Sequence, residues 1–492
     1  MPPAYRRLSE SPLWTAQRRF YETSGVEAWR TGTVPHHVTN SVALAEAYAR
    51  VVCAFAQDAR SREPLHVVEF GAGSGRFAFL FLQALARPGR PAPSIRYVMT
   101  DVALATIDFW RRHPDFRPFV QAGRLDFARF DAARDTALPL RLARREIAPL
   151  TPVERLVVIA NYVFSGLPQD AFVSRGGRLY EWLVRSSPQT RRPDGVILEG
   201  RPGARATRPY DDDDFNRVLA TRPSPRGVDL FPVGALRALR ALSALARRDA
   251  LVLVAERPDG SLGLDPATLG MGRHGAVSFP LDVSALHRWT QPHGGLALTA
   301  SRRARHLAMA GLLRGRNRRG WTATRAAWRR AMARGGPDAL YSRRRALATS
   351  PRPTLRALLG LLAGSGHDPR VVAETLRPLW PHLPDASAPV RGRLRDIAVG
   401  AWRNHYELGE PHDVAFDLGL LLYGVRAWDD ARRLFEAALD SHGGDAATWW
   451  NLGLCHVALG NPDAALAAFR RARKLAPGLN PAGPVTVKSP PS

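Results

Sequence analysis

HVVEFGAGSG, His66 to Gly75, is the stretch of this 492-residue chain that decides its fold. Leu65, Val67 and Val68 form a short apolar run typical of a buried strand. The next stretch, RFAFLFLQALA from Arg76 to Ala86, is typical of a largely buried helix. Glycines between the two elements allow positive φ angles and a close approach of the backbone to a ligand, and the helix start offers free N–H donors. The stretch therefore predicts the strand, binding loop and helix of an α/β fold.

The loop also indicates which cofactor the pocket takes. A dinucleotide-binding loop follows the pattern G-x-G-x-x-G and would place its third glycine where Arg76 stands. Glu69, two residues before the first glycine, suits a cation better than a pyrophosphate. S-adenosylmethionine carries an ammonium and a sulfonium group and no phosphate, so we favour it over NAD. We expect it to contact Glu69, Gly71, Ala72, Gly73, Ser74 and Gly75.

Polar residues end three further predicted strands. Asp101 is placed to accept both hydroxyls of a ribose, although an aspartate before a helix is also a good N-cap. Asp131, beside the ring of Phe130, is a candidate partner for adenine or an ordinary turn residue. Asn161 and Tyr162 follow an almost entirely apolar strand, as expected for a parallel strand covered on both faces. Open α/β sheets hold ligands at the carboxyl ends of their strands, so these residues are predicted to line one site.

These pieces, in this order, resemble the class I S-adenosylmethionine-dependent methyltransferases over about residues 36 to 300, and among them the MidA-like family. The resemblance is carried by four stretches: VTNSVALAEAYARVV (Val38 to Val52), VVEFGAGSGRFA (Val67 to Ala78), ANYVFSGLPQDAF (Ala160 to Phe172) and HGAVSFPLDVSAL (His274 to Leu286). It implies that Glu69 and the glycine loop hold the methionine end, Asp101 the ribose and Asp131 the adenine side. It also implies protein substrates, because methylation of protein arginine is attributed to that family.

One segment departs from the family pattern. Where MidA-like proteins tend to have Asn-Glu followed by two apolar residues and Asp-Ala-Leu-Pro, this chain reads NYVFSGLP from Asn161 to Pro168, without either acidic residue. Arginine specificity is therefore not expected to carry over. The segment also lacks the Asn-Pro-Pro-Tyr of adenine and glutamine amino-methylating enzymes, which argues against base methylation of that kind.

Methyl transfer asks little of the protein beyond alignment of the reacting atoms and removal of water, because the sulfonium is already activated. Asn161 and Tyr162 are candidates for positioning the acceptor. His274, before a predicted strand, is a candidate base or a structural histidine. His36 and His37 lack two further ligands in the sequence pattern, so we predict no metal site.

Charge is the second unusual property of the chain. Its net charge is +26, and the stretch from Arg302 to Arg345 holds 14 arginines against the single acid Asp338. Trp321 and Trp328 lie within this stretch at a helical spacing of seven. One interpretation is a pair of basic helices that pack their tryptophans on the domain and solvate their arginines. The other is an electrostatic surface for RNA, DNA or an acidic partner protein.

Cysteine content and hydropathy suggest a cellular location. The two cysteines, Cys53 and Cys455, are far apart in apolar helical patterns and are interpreted as reduced core thiols. No run of 18 apolar residues exists, and the first residues have no apolar signal core. We therefore expect a cytoplasmic protein that makes no use of a membrane.

The C-terminal part contains an internal repeat. Leu418, Gly419, Ala431, Phe435 and Ala438 recur 34 residues later as Leu452, Gly453, Ala465, Phe469 and Ala472. A period of 34 with small and large residues at these positions is typical of tetratricopeptide repeats. We predict two repeats, at about 412–445 and 446–479, and expect helices within Leu355 to Leu408 to complete the stack, since three or more units are normally needed. The uncapped last repeat is expected to bind a protein partner or a second copy.

The sequence thus predicts an α/β, Rossmann-like domain with a mostly parallel twisted sheet and helices on both faces, followed by an all-α region. The expected domains are a methyltransferase domain with an N-terminal helical extension (1–300), an arginine-rich helical linker region (301–408), tetratricopeptide repeats (409–479) and a disordered tail (480–492). Three functions remain open: a methyltransferase acting on a protein engaged by the repeats, a non-catalytic assembly or scaffold protein, and an RNA or DNA methyltransferase using the basic segment.

Overall fold

The computed structural model describes residues 4–87, 93–188, 195–222, 227–258, 265, 269, 271–300, 304–315, 320–479, 481 and 483–486. The chain divides into two compact units. The first consists of Met1–Asn40 with Leu44–Ala339, and the second of Ser41–Ala43 with Leu340–Ser492.

The strands of the described residues all lie in the first unit: β1 Leu65–Phe70, β2 Ile95–Asp101, β3 Leu125–Arg129, β4 Leu138–Leu140, β5 Arg145–Ile147, β6 Val153–Asn161, β7 Asp170–Arg175, β8 Arg178–Pro188, β9 Val196–Arg205, β10 Val228–Phe231, β11 Ala246–Glu256, β12 Gly272–Arg273, β13 Val277–Ser278, β14 Leu296–Thr299 and β15 Ala308–Arg314.

The α-helices described up to residue 348 are α1 Leu13–Ser24, α2 Glu27–Arg30, α3 Val42–Asp58, α4 Arg76–Ala86, α5 Leu104–Arg112, α6 Arg117–Gln121, α7 Asp213–Ala220, α8 Val233–Ala244, α9 Val283–Thr290, α10 Thr322–Ala331 and α11 Gly336–Ala348. Those that follow are α12 Leu355–Gly364, α13 Pro369–Leu379, α14 Ala388–Arg403, α15 Val414–Gly424, α16 Trp428–His442, α17 Ala446–Ala458 and α18 Pro462–Leu475.

A seven-stranded sheet forms the centre of the first unit, in the order β14-β15-β11-β6-β1-β2-β3. The five strands from β11 to β3 run parallel, whereas β15 is antiparallel to β11 and β14 is antiparallel to β15. The predicted mostly parallel sheet is therefore confirmed. β1 has β2 on one side and β6 on the other, so the order of the strands reverses beside β1. Open α/β sheets bind ligands at the carboxyl ends of the strands at such a switch point.

The register of the parallel strands brings three polar strand ends to one face. Glu69 of β1 is paired with Met99 of β2 and with Ile159 of β6. Asp101 and Asn161 each lie two residues beyond those partners. Side chains of a strand alternate between its two faces, so Glu69, Asp101 and Asn161 share a face.

The opposite face of the sheet carries much of the core. Val68, Val98, Val158 and Val254 are buried there in one hydrophobic cluster that also includes the apolar side of α8. β6 is apolar from Leu156 through Ala160 because a central parallel strand is covered on both faces.

A smaller antiparallel sheet, in the order β10-β7-β8-β9, follows β6 in the chain and precedes β11. Its inner side chains, among them Val173, Val184 and Leu230, form a separate core cluster with Leu8 and Leu13 from the N-terminal segment. This sheet was not predicted from the sequence, because charged residues and glycines interrupt the apolar pattern of its longest strands, β8 and β9. The shorter pairs β4-β5 and β12-β13 complete the strands of the first unit.

The arginine-rich stretch departs from the helical linker predicted from residue 301. Ala308–Arg314 is a strand of the central sheet, and the first unit extends to Ala339. The apolar run AMAGLL pairs with β11 because it supplies the neighbour that this strand needs. The boundary expected at residue 300 is therefore wrong for the described residues; Arg302 itself lies outside them.

Both tryptophans of the same stretch pack inward. Trp321 stacks on Phe55 with 5.2 Å between ring centroids. Trp328 is buried and donates its indole N–H to the carbonyl of Thr299 at 2.9 Å. The interpretation in which these rings pack on the domain is thus confirmed, while the α10 arginines Arg325, Arg329 and Arg330 are exposed.

The second unit is helical, and its last four helices repeat one contact. Gly419 of α15 lies so close to Phe435 of α16 that a Cβ would be 2.9 Å from the ring. Gly453 of α17 has the same relation to Phe469 of α18, at 2.5 Å. These pairs are 34 residues apart, as the sequence period predicts. A single core cluster joins α12, α13 and α14 to this stack, which confirms that the preceding helices complete it.

The tail beyond the last repeat is ordered where the structure describes it. Gly483 and Val485 are hydrogen-bonded to side chains of α17. The expectation of a disordered tail is therefore wrong for 483–486, because the uncovered side of α17 offers polar partners; residues 487–492 lie outside the described part. Cys53 and Cys455 are both buried thiols that are not joined in a disulfide, as expected. Across the described residues, no helix has the length and apolar character to cross a membrane.

Candidate functional site

The glycine loop between β1 and α4 has the backbone that its sequence predicts. Gly71, Gly73 and Gly75 have φ angles of 54°, 54° and 82°, a region that other residues adopt only with strain. Ala72 donates its N–H to the carbonyl of Thr100 at 2.8 Å, which ties the loop to the end of β2. The loop is thus a fixed turn at the switch point of the sheet.

Glu69 is buried at the end of β1, directly before this loop. One of its carboxylate oxygens accepts a hydrogen bond from the hydroxyl of Tyr97 at 2.8 Å. Burial raises the pKa of Glu69 to about 8, and the nearby Asp101 adds to the rise, whereas the Tyr97 hydrogen bond opposes it. At neutral pH the carboxyl group is therefore largely protonated unless a cation lies beside it.

Asp101 is the second buried carboxyl group on this face. It accepts a hydrogen bond from the N–H of Ala103 at 2.9 Å, and the N–H groups of Gly73 and Val102 also face it. Burial raises the pKa of Asp101 to about 6, although these backbone donors favour its charged form. The alternative role of a helix N-cap is not what the structure gives this residue, because Ala103 is the N-cap of α5.

Asn161 ends β6 on the same face. Both polar atoms of its side-chain amide are buried, and neither has a hydrogen-bond partner among the described residues. A buried amide without partners costs free energy, on the order of 1–3 kcal/mol, unless another molecule supplies the missing hydrogen bonds. Asn161 is therefore the clearest sign in the first unit of a place made for a ligand.

Tyr162 follows with a strained backbone. Its φ angle is 54°, and its N–H is held by the carbonyl of Ala255 at 2.9 Å. Left-handed backbone at a bulky residue is uncommon and is found most often at functional sites. At this residue the chain leaves β6 and continues into a short turn of 3-10 helix, Phe164–Gly166.

Sequence reasoning missed Glu256, which supports this turn. It is fully buried at the end of β11 and accepts a hydrogen bond from the N–H of Phe164 at 2.7 Å. Burial raises the pKa of Glu256 to about 7, while the surrounding N–H and hydroxyl donors lower it. Its position at a strand end could have been found from the apolar run LVLVA that precedes it.

Phe130 and Asp131, the candidates for the adenine side, both have partners within the protein. The ring of Phe130 stacks on Phe70, with centroids 4.8 Å apart, within the main core cluster. Core packing thus accounts for the position of this ring. Asp131 accepts a hydrogen bond from the N–H of Ala133 at 3.0 Å, as a turn residue does, and it also pairs with Arg18 at 3.3 Å.

Arg18 belongs to the N-terminal cover, the name used here for residues 13–34. This segment closes over the glycine loop: a Cβ at Gly73 would lie 2.8 Å from the ring of Trp29. Tyr21 stacks on Trp29, with 5.8 Å between centroids. Burial raises the pKa of the Tyr21 phenol, and the charge of Asp101 adds to that rise, so this ring also faces the site.

Gln17 fixes the other side of the N-terminal cover. Its amide donates to the carbonyl of Gly166 at 3.2 Å and accepts from the N–H of Val277 at 3.1 Å. One side chain therefore links α1 to the turn after β6 and to β13. These contacts join residues more than a hundred positions apart, which no local pattern in the sequence reveals.

His274 lies in the turn between β12 and β13. Its Nε2 atom is 3.2 Å from the hydroxyl of Ser278, which joins the ring to its own hairpin. The structure brings Glu69, Asp101 and Asn161 to one face of the sheet, whereas His274 lies in a hairpin that contacts the N-terminal cover through Val277 and Gln17. Ser74 is tied into the loop, since its hydroxyl accepts from the amide of Asn40 at 3.2 Å.

Comparison with known proteins gives a clear match at the C-terminus. Residues 416–480 match the tetratricopeptide repeat family model, which covers α15 to α18. No curated protein matches the chain in sequence.

Three solved structures are similar to part of this chain. Two come from Burkholderia thailandensis and belong to the MidA-like superfamily. One is an uncharacterized protein with 16% identity and a TM-score of 0.41, and the match covers 64% of this chain and 88% of that one. The other, a candidate methyl transferase bound to S-adenosyl-homocysteine, has 18% identity and a TM-score of 0.38, covering 60% and 74%.

The third is magnesium protoporphyrin IX methyltransferase from Synechocystis PCC 6803 with bound S-adenosyl-homocysteine. It has 11% identity and a TM-score of 0.30, and the match covers 62% of this chain and all of that one. Likeness at these scores transfers neither a ligand nor an activity to this chain.

Proposed function

We propose that the first unit binds S-adenosylmethionine and transfers its methyl group to a protein acceptor. One observation carries the proposal: two buried carboxyl groups, Glu69 and Asp101, share a face with the amide of Asn161, which has no partner in the described part of the chain, beside a loop of positive-φ glycines. A cation would favour the charged form of the two carboxyl groups, and hydrogen-bonding groups would satisfy the amide of Asn161; S-adenosylmethionine carries both.

The chemistry of the carboxyl groups favours this cofactor over a phosphate-bearing one. Burial alone holds Glu69 mostly protonated at neutral pH, so a cation beside it recovers a buried ion pair and releases a proton. A pyrophosphate at the same place would face two acidic groups and gain nothing from them. Glu69 would hold the ammonium of the methionine end, Asp101 the ribose hydroxyls, and Asn161 a further polar group.

S-adenosylmethionine supplies an already activated methyl group. The protein therefore has to bind the cofactor and exclude water from the site, and it does not have to activate the methyl group. The glycine loop permits close approach, and Trp29 and Tyr21 of the N-terminal cover exclude water from the face that carries Glu69 and Asp101. The N-terminal cover must move for the cofactor to enter, because Trp29 packs directly on Gly73. Asn161 and Tyr162 remain the candidates for positioning the acceptor.

A protein acceptor is favoured by the helical repeats of the second unit, since tetratricopeptide repeats engage proteins. A nucleic-acid acceptor has less support. Trp321 and Trp328, the aromatic residues interleaved with the arginines, are buried and cannot stack on bases. The exposed arginines of α10 retain a role as an electrostatic surface for an acidic partner.

Titration calorimetry with S-adenosylmethionine tests the proposal on three full-length proteins. We expect the wild type to bind and Asp101→Ala to lose at least 100-fold in affinity, because the ribose contact and a buried carboxylate are removed together. Asp108→Ala is the matched control, since this aspartate lies on the solvent side of α5 with 44% of its side chain exposed. No binding by the wild type would leave the scaffold function in place of the enzyme.

The acceptor is tested separately by transfer of labelled methyl groups to a cell lysate. Label that is removed by protease and not by nuclease agrees with a protein acceptor, and the reverse contradicts it.

A further inference from the structure

A second polar cluster lies at the amino-terminal ends of the parallel strands. His66 is the second residue of β1, and Arg96 is its register partner on β2, so both side chains leave the sheet on the same face. Glu69 of the proposed methyl-donor site is three residues further along β1. It therefore lies on the opposite face, about 10 Å away along the strand. The two clusters share a strand but are separate places.

Arg145 of β5 completes this cluster. Its Nη2 atom lies 2.6 Å from Nε2 of His66. An arginine can only donate hydrogen bonds, so Nε2 is the acceptor and the imidazole is neutral. Burial and the charges of the nearby arginines lower the pKa of His66 to about 4, which agrees with a neutral ring. A buried uncharged imidazole thus lies beside two guanidinium groups.

The positive charge of these two arginines is not compensated locally. Neither Arg96 nor Arg145 forms an ion pair with a carboxylate among the residues that the structure describes. Arg155, a third arginine whose charge acts on His66, differs from them. It donates to the carbonyl of Ala59 at 2.7 Å, and three acidic residues lie near it. Like charges on neighbouring strands are destabilising, so an anion beside Arg96 and Arg145 would be favourable.

The turn that precedes Arg145 is held by the protein itself. Asp126 of β3 accepts hydrogen bonds from the N–H groups of Leu142 at 2.8 Å and of Ala143 at 2.9 Å. Arg144 has a φ angle of 49°, a left-handed conformation that is uncommon at residues other than glycine and is found most often at functional sites. Arg145 is therefore presented by a fixed turn.

We propose that Arg96 and Arg145, beside the buried ring of His66, form a binding site for a phosphate dianion, either free orthophosphate or the phosphoryl group of a phosphomonoester. A guanidinium group binds phosphate oxygens through paired N–H donors. A dianion balances the charge of two arginines, whereas a carboxylate or a phosphodiester carries a single charge. The site is independent of the proposed methyl-donor site.

Titration calorimetry of the full-length protein at pH 8 and constant ionic strength tests the site with two probes, orthophosphate and phenyl phosphate. We expect the wild type to bind and Arg145→Ala to bind about tenfold more weakly or worse, because it loses a charge and a pair of donors. Arg145 is exposed, so this change leaves the core intact. Arg145→Lys keeps the charge without the paired donors and should have an intermediate affinity.

Arg141→Ala is the matched control, because it removes the same charge from an exposed position of the same turn and should bind as the wild type. Binding of phenyl phosphate identifies a phosphomonoester as the ligand, and binding of orthophosphate alone identifies the free ion; either result agrees with the proposal. Three results overturn it. They are no binding of either probe by the wild type, an Arg145→Ala protein that binds no more weakly than Arg141→Ala, and equally tight binding of dimethyl phosphate, a singly charged diester.

Discussion

Glycine is used in two different ways in the two units of this protein. Gly73 of the binding loop has a φ angle of 54° and lies under the ring of Trp29. Gly453 of α17 lies within a helix and makes room for Phe469, which is 2.5 Å from the place of a Cβ. The first glycine permits a backbone that other residues avoid, and the second permits two helices to cross closely. Glycine is therefore needed for its backbone conformation in the binding loop and for its small size in the repeats.

Polar groups show the same contrast. In the repeats, Asp413 and Asp445 cap α15 and α17 and accept N–H groups of their own helices at 2.8 and 2.9 Å. In the first unit, the amide of Asn161 is buried with no partner among the described residues. Buried polar groups that lack the usual hydrogen-bond partners are expected at functional sites. The contrast gives three predictions.

The largest effect is expected from Glu69→Gln. It keeps the shape and the Tyr97 hydrogen bond but removes the negative charge, so S-adenosylmethionine affinity should fall at least 100-fold, or about 2.7 kcal/mol. Folding raises the pKa of Glu69 to about 8, so the folded protein holds a proton there that the unfolded chain releases above about pH 4.5. The free energy of unfolding of the ligand-free wild type should therefore fall as pH rises from about 4.5 to 8. The free energy of unfolding of ligand-free Glu69→Gln should not show this fall. Calorimetry and denaturant unfolding at pH 5 and 8 measure both effects.

If Glu69→Gln binds S-adenosylmethionine as tightly as the wild type, then Glu69 does not pair with the cation of this ligand. An unfolding free energy with the same pH dependence in both proteins would show that the carboxyl group is not buried as described.

Gly453→Ala is expected to cost about 2 kcal/mol of stability in the second unit, because the new methyl group meets the ring of Phe469. Gly360→Ala is the matched control: this glycine lies in α12 with open space around the position of a Cβ. The control should stabilise its helix by about 0.5–1 kcal/mol. Urea unfolding followed by circular dichroism compares the two, and equal effects would contradict the packing role of Gly453.

The smallest effect is expected from Asn161→Ala. Its amide atoms have no hydrogen-bond partner to lose among the residues that the structure describes, so the melting temperature should stay unchanged or rise. Cofactor affinity should fall about tenfold, or about 1.4 kcal/mol. A lower melting temperature with unchanged affinity would make Asn161 a structural residue, and thermal unfolding with and without S-adenosylmethionine distinguishes the two cases.

Local patterns in the sequence predicted much of the fold and of the site. The strand before Gly71 and the helix Arg76–Ala86 follow from apolar runs whose period is visible within a dozen residues. The repeats follow from a period of 34. Glu69, Asp101 and Asn161 were found because each ends such a run, and the parallel sheet brings strand ends together.

The remaining features depend on contacts between distant residues. Trp29 reaches the glycine loop, and Gln17 the turn after β6, only once the chain has folded, and their segment carries no motif. Ala308–Arg314 was hidden by flanking arginines, which suggested a helical surface. The ordered tail depends on the amide of Asn451, which cannot be distinguished in sequence from any other helical asparagine.

The central claim is that the buried carboxyl group of Glu69 receives the cation of the methyl donor. Calorimetric titration of S-adenosylmethionine at pH 7, in two buffers of different ionisation enthalpy, tests it most directly. The account predicts binding with the release of close to one proton, and affinity that rises nearly tenfold per unit between pH 6.5 and 7.5. Binding without proton release, or no binding by the wild type, would contradict it.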